Sequence, residues 1–181
     1  MFRKILVPCD GSDLAQRSVF PRVEELAKAL GAEVIILRVI PSPPGRSGVA
    51  FRAGAPEMPI SLPETPEDAR VARHPIYRDQ EIASAEDEAR RSLIKAEAML
   101  RDAGVKVRSH ILLGDPAEEI IDYADKEDVD LIVICSHGAG GIRRWVFGSV
   151  TEKVLRGTTT PVLVIRPKAL DQEAAPRQQR A

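Results

Sequence analysis

The stretch of the sequence that offers most to a ligand is a glycine-rich segment, 138–148, followed directly by Ser149 and then Thr151. Glycines let backbone amides come close to an anion, and the first amides of a helix lack partners within the helix. A helix that begins at about Ser149 would present amides and two hydroxyls to a phosphate group, with Arg143 and Arg144 near by. The pattern therefore predicts a phosphate site here.

The same residues also fit a purely structural role. Ser149-Val150-Thr151-Glu152 has the form of a capping box, in which side chains satisfy the first amides of a helix without any ligand. The segment is not a Walker loop, because Gly-Lys-Ser and Gly-Lys-Thr do not occur in it, and a dinucleotide fingerprint would follow the first strand instead. Phosphate binding and a plain helix cap both stay open at this point.

Other polar side chains could also bind a ligand or a metal. Asp10 follows an apolar run, in Pro8-Cys9-Asp10, and could contact a ligand or cap the turn into the next helix. Cys135 and His137 are two positions apart, but no further Cys or His is near them in the sequence, so we predict no metal site. No nucleophile and base stand at a motif spacing, and we predict no catalytic residue.

Short apolar runs alternate with helical patterns along the chain. Runs without polar interruption are typical of strands buried on both faces, whereas spacings of three and four mark helices. Val105–Leu112 alternates, which indicates a strand near a sheet edge. The other predicted strands are Lys4–Pro8, Val34–Ile40, Asp130–Cys135 and Pro161–Ile165. Strands alternating with helices in this way predict a doubly wound, five-stranded parallel α/β sheet with helices on both faces, whose ligands bind outside the carboxyl ends of the strands.

One segment interrupts this pattern. Prolines and glycines are concentrated in 41–78, where no periodicity survives, and we interpret it as a partly disordered insertion. The end of the chain, 168–181, has the composition of a flexible tail. We therefore predict a single α/β domain over 1–167 with one insertion and a tail.

Composition excludes several classes of function. The chain has 181 residues and a net charge of -1, so it lacks the excess of cations that a nucleic-acid coat needs, and we predict no nucleic-acid partner. No apolar run approaches the roughly 20 residues of a membrane span, and the amino terminus lacks the apolar stretch of a signal peptide. The two cysteines do not form a disulfide framework, so we expect a reducing, cytoplasmic location.

Several short blocks, in order, are similar to those of the universal stress protein family. These blocks are Ile5–Ser12, Gly114–Pro116, Asp130–Val133, Ser136–Gly138, Gly148–Ser149 and Pro161–Val164. In the ATP-binding branch of that family the loop has the pattern Gly-x2-Gly-x9-Gly-Ser/Thr. Gly138 and the pair Gly148-Ser149 match its last two parts, whereas Cys135 stands at the first glycine.

The resemblance implies a strand order of 3-2-1-4-5 and an ATP site, with Mg²⁺ accompanying the triphosphate. Asp10 would contact the ribose, Val39 the adenine through its backbone, and the glycine loop with Ser149 and Val150 the phosphates. The full set of predicted nucleotide-binding residues is Pro8, Cys9, Asp10, Val39, Ile134, Cys135, His137, Gly138, Gly148, Ser149, Val150 and Thr151. The family also implies a homodimer that forms through Pro161–Ile165.

The function predicted in this way is that of an ATP-binding stress-response protein that acts as a binding switch. Two alternatives stay open. The protein could be a slow ATP hydrolase or a nucleotide-dependent transferase, with 41–78 as a lid, or a dimerising adaptor whose pocket is empty because of Cys135. Cys9 and Cys135 each end a strand, and on neighbouring strands they could simply pack together or form a disulfide.

Overall fold

The computed structural model describes residues 2–41, 66–136 and 147–167. Within them, strands alternate with helices along the chain. The strands are β1 (Lys4–Pro8), β2 (Glu33–Pro41), β3 (Val107–Gly114), β4 (Leu131–Cys135) and β5 (Val162–Ile165). The helices are α1 (Asp13–Leu30), α2 (Pro66–Asp102), α3 (Pro116–Lys126) and α4 (Ser149–Gly157). None of the helices in the described ranges is long and apolar enough to span a membrane.

The five strands form one parallel sheet in the order β3-β2-β1-β4-β5, as predicted. The order reverses between β1 and β4, because the chain first builds outward through β2 and β3 and then returns to the other side of β1. Residues Leu131–Cys135 of β4 are all buried, as expected for a strand covered on both faces.

Two hydrophobic cores lie on opposite faces of the sheet. Alternate residues of β2 point to opposite faces, so that Ile36 belongs to one core and Leu37 to the other. Phe20 of α1 and Leu100 of α2 pack in the core that contains Ile36, whereas Ile120 of α3 and Val154 of α4 pack in the core that contains Leu37. Helices therefore cover both faces, which confirms the doubly wound architecture.

The structure differs from the sequence-based prediction at the insertion. Helix α2 begins at Pro66, so the end of the segment 41–78 is helical and the predicted irregular segment was too long. The proline acted as a start signal and not as a breaker, because the first position of a helix needs no amide hydrogen. Residues 42–65 and the predicted tail, 168–181, lie outside the described residues.

Candidate functional site

The two central strands of the sheet stop pairing toward its carboxyl edge, and we call the space above their unpaired ends the cleft. β1 and β4 pair only through Ile5 with Leu131 and Leu6 with Ile132. β1 stays paired with β2 as far as Pro8, and β4 with β5 as far as Cys135. The two central strands therefore stop pairing before either ends, at the position where the strand order reverses. This is where open parallel sheets bind their ligands.

The amino terminus of α4 stands at this edge and is attached to the end of β4 by two hydrogen bonds. The Gly148 amide donates to the carbonyl oxygen of Ser136 at 2.9 Å. The Thr151 hydroxyl donates to the carbonyl oxygen of Cys135, also at 2.9 Å, and Thr151 is buried. These two hydrogen bonds fix the position of the first turn of α4 relative to the end of β4.

The capping box that the sequence allowed is not formed. Gly148, with φ -61° and ψ 151°, is the N-cap residue, and no side chain within 2–41, 66–136 or 147–167 caps the helix with a hydrogen bond. Ser149 is the first residue of α4 and is exposed. The first amides of the helix therefore keep their capacity to bind an anion. The Thr151 hydroxyl was predicted to contact phosphate, but its proton is donated to Cys135, so its observed role is structural.

On the other side of the cleft, the turn after β1 carries Asp10. The Asp10 carboxylate is exposed, and its Oδ1 accepts hydrogen bonds from the Ser12 amide at 2.9 Å and the Ser12 hydroxyl at 2.7 Å. Gly11 between them has φ +79°, a conformation that glycine adopts without strain. The carbonyl of Ser12 accepts from the Gln16 amide as α1 begins. Asp10 therefore shapes the turn that leads into α1.

The backbone of Val39 faces the same edge. The Leu37 carbonyl accepts from the Cys9 amide at 2.8 Å, so the polar backbone groups of Leu37 point toward β1. Backbone groups two residues apart in a strand point to the same side, and those of Val39 therefore point toward β1 as well. β1 has ended at that level, and the turn with Asp10 takes its place.

Cys9 and Cys135 lie beneath this edge in the core. They are 8% and 7% exposed, both are thiols, and they belong to the same hydrophobic cluster on the α1 and α2 face. Burial is the largest influence on the Cys9 thiol and raises its pKa, which a hydrogen bond from the Gly11 backbone partly opposes. The side chain that replaces the first motif glycine is thus packed in the core.

A model of the Universal stress protein family matches residues 1–166 of the sequence. The chain belongs to the universal stress protein family. The universal stress protein MJ0577 of Methanocaldococcus jannaschii is 30% identical over 170 residues, covering 93% of this chain and 97% of that protein. The universal stress protein YxiE of Bacillus subtilis is 31% identical over 166 residues, 92% of this chain and all of its own.

Solved structures show the same universal stress protein fold. The structure of MJ0577 has a TM-score of 0.71 at 28% identity and covers 93% of this chain and 99% of its own. Two more distant structures contain an adenine nucleotide. The universal stress protein of Archaeoglobus fulgidus in complex with dAMP has a TM-score of 0.57 at 23% identity, over 91% and 98% of the two chains. A universal stress protein family member from Arabidopsis thaliana with AMP bound has a TM-score of 0.59 at 18% identity, over 97% of each of the two chains.

Most residues predicted for the nucleotide site of this universal stress protein lie at the carboxyl edge, around the cleft. These are Pro8, Cys9, Asp10, Val39, Ile134, Cys135, Gly148, Ser149, Val150 and Thr151. His137 and Gly138 lie outside the described residues, as do Arg143 and Arg144. Among the described residues, no group of three His, Cys, Asp or Glu side chains could hold a metal ion.

The sequence analysis missed Arg38, whose side chain lies under the turn that carries Asp10. Its Nη1 donates to the carbonyl oxygen of Cys9 at 3.3 Å. A signal was present, because Arg38 is the one charged residue in the apolar run Val34–Ile40 and stands near its carboxyl end. A charge in a strand buried on both faces calls for a specific partner.

Proposed function

We propose that this protein binds ATP in the cleft between β1 and β4 and acts as a nucleotide-dependent switch in a stress response. The observation that supports this most directly is the amino terminus of α4 beside the cleft, which no side chain in the described part of the structure caps. Relatives with the same fold contain AMP or dAMP, which supports an adenine nucleotide as the ligand class. The triphosphate form rests on the match of Gly148-Ser149 to the loop of the ATP-binding branch.

In this proposal, the phosphates lie on the backbone amides of Ser149 and Val150, with the exposed Ser149 hydroxyl beside them, and Gly148 leaves room for their approach because it has no side chain. Amides of a first helical turn point their hydrogens toward an anion, and the helix dipole adds to the attraction. The hydrogen bonds from Gly148 to Ser136 and from Thr151 to Cys135 fix that turn before the ligand arrives. Little ordering is then needed upon binding, which favours affinity.

The nucleoside part extends across the cleft toward β1 and β2. The exposed carboxylate of Asp10 is suited to accept hydrogen bonds from ribose hydroxyls, which are donors. The backbone of Val39 offers an amide and a carbonyl at the same edge, and such a pair can recognise the edge of a base. Buried Ile134 and Val39 provide apolar surface beside it.

Magnesium fits this site as a partner of the nucleotide. The described residues contain no three-ligand cluster for a metal. Mg²⁺ in nucleotide sites keeps several waters and binds substrate phosphates with few protein ligands. The ion would neutralise phosphate charge, and the protein residues named above would bind the remaining oxygens.

We also propose that the switch is a cytoplasmic homodimer formed through Pro161–Ile165. β5 is an edge strand of the described sheet, and Leu163 on it is 38% exposed. Both cysteines are thiols, as expected in a reducing compartment.

The bound nucleotide identifies which of the functions operates. Freshly purified protein is denatured, and the released small molecules are separated by chromatography. ATP in an amount near that of the protein chains supports the switch. ADP alone would favour slow hydrolysis, and no nucleotide would favour the adaptor. A parallel preparation of Gly148→Val controls for carry-over, because bulk at that amide should prevent binding.

A further inference from the structure

Arg38 occupies a specific place beneath the turn that follows β1. The guanidinium is half-buried on the α1 and α2 side of the sheet, and Nη1 donates to the carbonyl oxygen of Cys9. Its Nε is buried and has no hydrogen-bond partner among the described residues. A cation kept in this position, with one donor unsatisfied, costs free energy that a leucine or valine would not.

The guanidinium also lies flat over the position that a side chain at residue 11 would occupy. A Cβ atom placed on Gly11 would be 3.5 Å from Nη1, 3.6 Å from Cζ and 3.7 Å from Nη2 of Arg38. Three nearly equal distances mean that the face of the guanidinium, and not its edge, is turned toward this position. A side chain here would make ordinary contact with Arg38, so it is the φ of +79° that favours glycine.

The turn is therefore held from two sides. Arg38 supports it through the hydrogen bond to the Cys9 carbonyl, and its guanidinium occupies the space next to Gly11. Asp10 closes it from above, with both hydrogen bonds to Ser12 made by the same oxygen, Oδ1. These contacts determine where the other carboxylate oxygen of Asp10 lies relative to the cleft.

We infer that Arg38 is a positioning residue, which holds the Cys9–Ser12 turn so that the Asp10 carboxylate meets the ribose hydroxyls of the bound nucleotide. This inference rests on the proposed function. Arg38 acts through Asp10 and does not need to touch the nucleotide itself. Lysine is a poor substitute, since its ammonium can reach a carbonyl but has no flat face to place against Gly11.

The test compares ATP with 2′,3′-dideoxy-ATP, which lacks both ribose hydroxyls, by calorimetric titration of each variant. Wild-type protein should prefer ATP by about tenfold or more, as hydrogen bonds to a charged group imply. Arg38→Met should lose most of that preference by weakening ATP and leaving the dideoxy nucleotide nearly unchanged. Arg38→Lys should retain part of it. Asp10→Ala combined with Arg38→Met should bind ATP no more weakly than Asp10→Ala alone.

Arg108→Met is the matched control. Arg108 is also a half-buried strand arginine, but it lies near the amino end of β3 and bonds to Glu127 at 2.9 Å. Its removal should leave the preference for ATP unchanged. An unchanged preference in Arg38→Met, or an equal loss of affinity for both nucleotides, would overturn the inference while the proposed function stands. If wild-type protein binds neither nucleotide, the proposed function fails and this inference fails with it. Should Arg38→Met not fold, Arg38→Lys and Arg38→Gln give the same comparison.

Discussion

At the scale of single residues, Cys135 is the position where this chain departs from the glycine of the ATP-binding pattern. Its side chain is 7% exposed and packs with Cys9 in the core, and its carbonyl accepts the Thr151 hydroxyl. The contact that organises α4 therefore comes from the backbone and not from the side chain. The departure is compatible with a working site.

Replacing Cys135 by glycine should consequently change the affinity for ATP by less than about threefold, which is under 1 kcal/mol. The free energy of unfolding should fall by about 1–3 kcal/mol, because a buried side chain is lost and glycine has more freedom in the unfolded chain. Titration calorimetry and denaturant unfolding measure the two effects. A rise in affinity of about tenfold or more would show that the thiol obstructs the site.

The thiols themselves give a second prediction at this scale. Burial raises the pKa of Cys9, and a thiol reacts only as its thiolate, so the folded protein should be slow to react with a thiol reagent. Denaturation should expose both cysteines, and both thiols should then react fully with the reagent. If mild oxidation instead removes both thiols and peptide mapping finds a bridge between Cys9 and Cys135, the disulfide alternative is correct and simple packing is wrong.

Residue roles were only partly predictable from the sequence. The type of Asp10 and its place after a buried strand indicated that it belongs to a turn at the sheet edge, and it does. The choice of N-cap at α4 was not predictable, because Gly148 and Ser149 both suit that position and the bond from Gly148 to Ser136 decides between them. The role of Arg38 depends on a contact across two strands, which no local pattern contains.

At the scale of elements, an ion pair joins the amino end of α3 to the middle of α4. Asp115 is the N-cap of α3 and accepts from the amides of Ala117 and Glu118. Its other oxygen lies 3.1 Å from the ammonium of Lys153 on α4. The hydrogen bond from Lys153 is the largest of the effects that lower the pKa of Asp115, and the two amides lower it further.

A lowered pKa in the folded state means that the Asp115 carboxylate stabilises the fold above its unfolded pKa, near 4, and that this stability is lost as the pH falls below that value. Asp115→Asn keeps a helix cap but loses the charge. It should be less stable than wild type by about 0.5 kcal/mol at pH 7, since the ion pair is partly exposed, and the difference should shrink as the pH falls below about 4 and through the lowered pKa of the folded state. Denaturant unfolding across this range measures it, with Lys153→Met as a second variant. A difference that is independent of pH would contradict the assignment.

Local signals in the sequence indicated the start of one helix but not that of another. Asp115 and Pro116 are local signals for the start of α3, because a cap and a proline at the first position act within a few residues. The sequence did not predict the start of α2 at Pro66. One proline among many others was interpreted as a helix breaker, because the sequence does not show the surface on which the helix packs. The strand order followed from the family resemblance and was confirmed.

At the scale of the whole molecule, β5 leaves an open edge among the described strands. Leu163 on it is 38% exposed, and an unpaired apolar edge favours association with a second copy. If the proposed homodimer forms through this edge, Leu163→Lys should be a monomer in sedimentation experiments at micromolar concentration, where wild-type protein is a dimer. Met99→Lys is the control, because Met99 is an exposed apolar residue on α2, away from β5. A monomeric wild type, or a dimer that survives Leu163→Lys, would contradict the proposed interface.

The central claim is that an adenine nucleotide binds with its phosphates on the first turn of α4, and calorimetric titration of ATP into nucleotide-free protein tests it most directly. Wild-type protein should show saturable binding, and Gly148→Val should show none, because the valine side chain occupies the space that a phosphate needs. Thr158→Val, at the other end of α4, should bind as wild type does, and all three proteins should unfold cooperatively. Equal affinity in Gly148→Val and wild type, or no binding by wild-type protein, would contradict the claim.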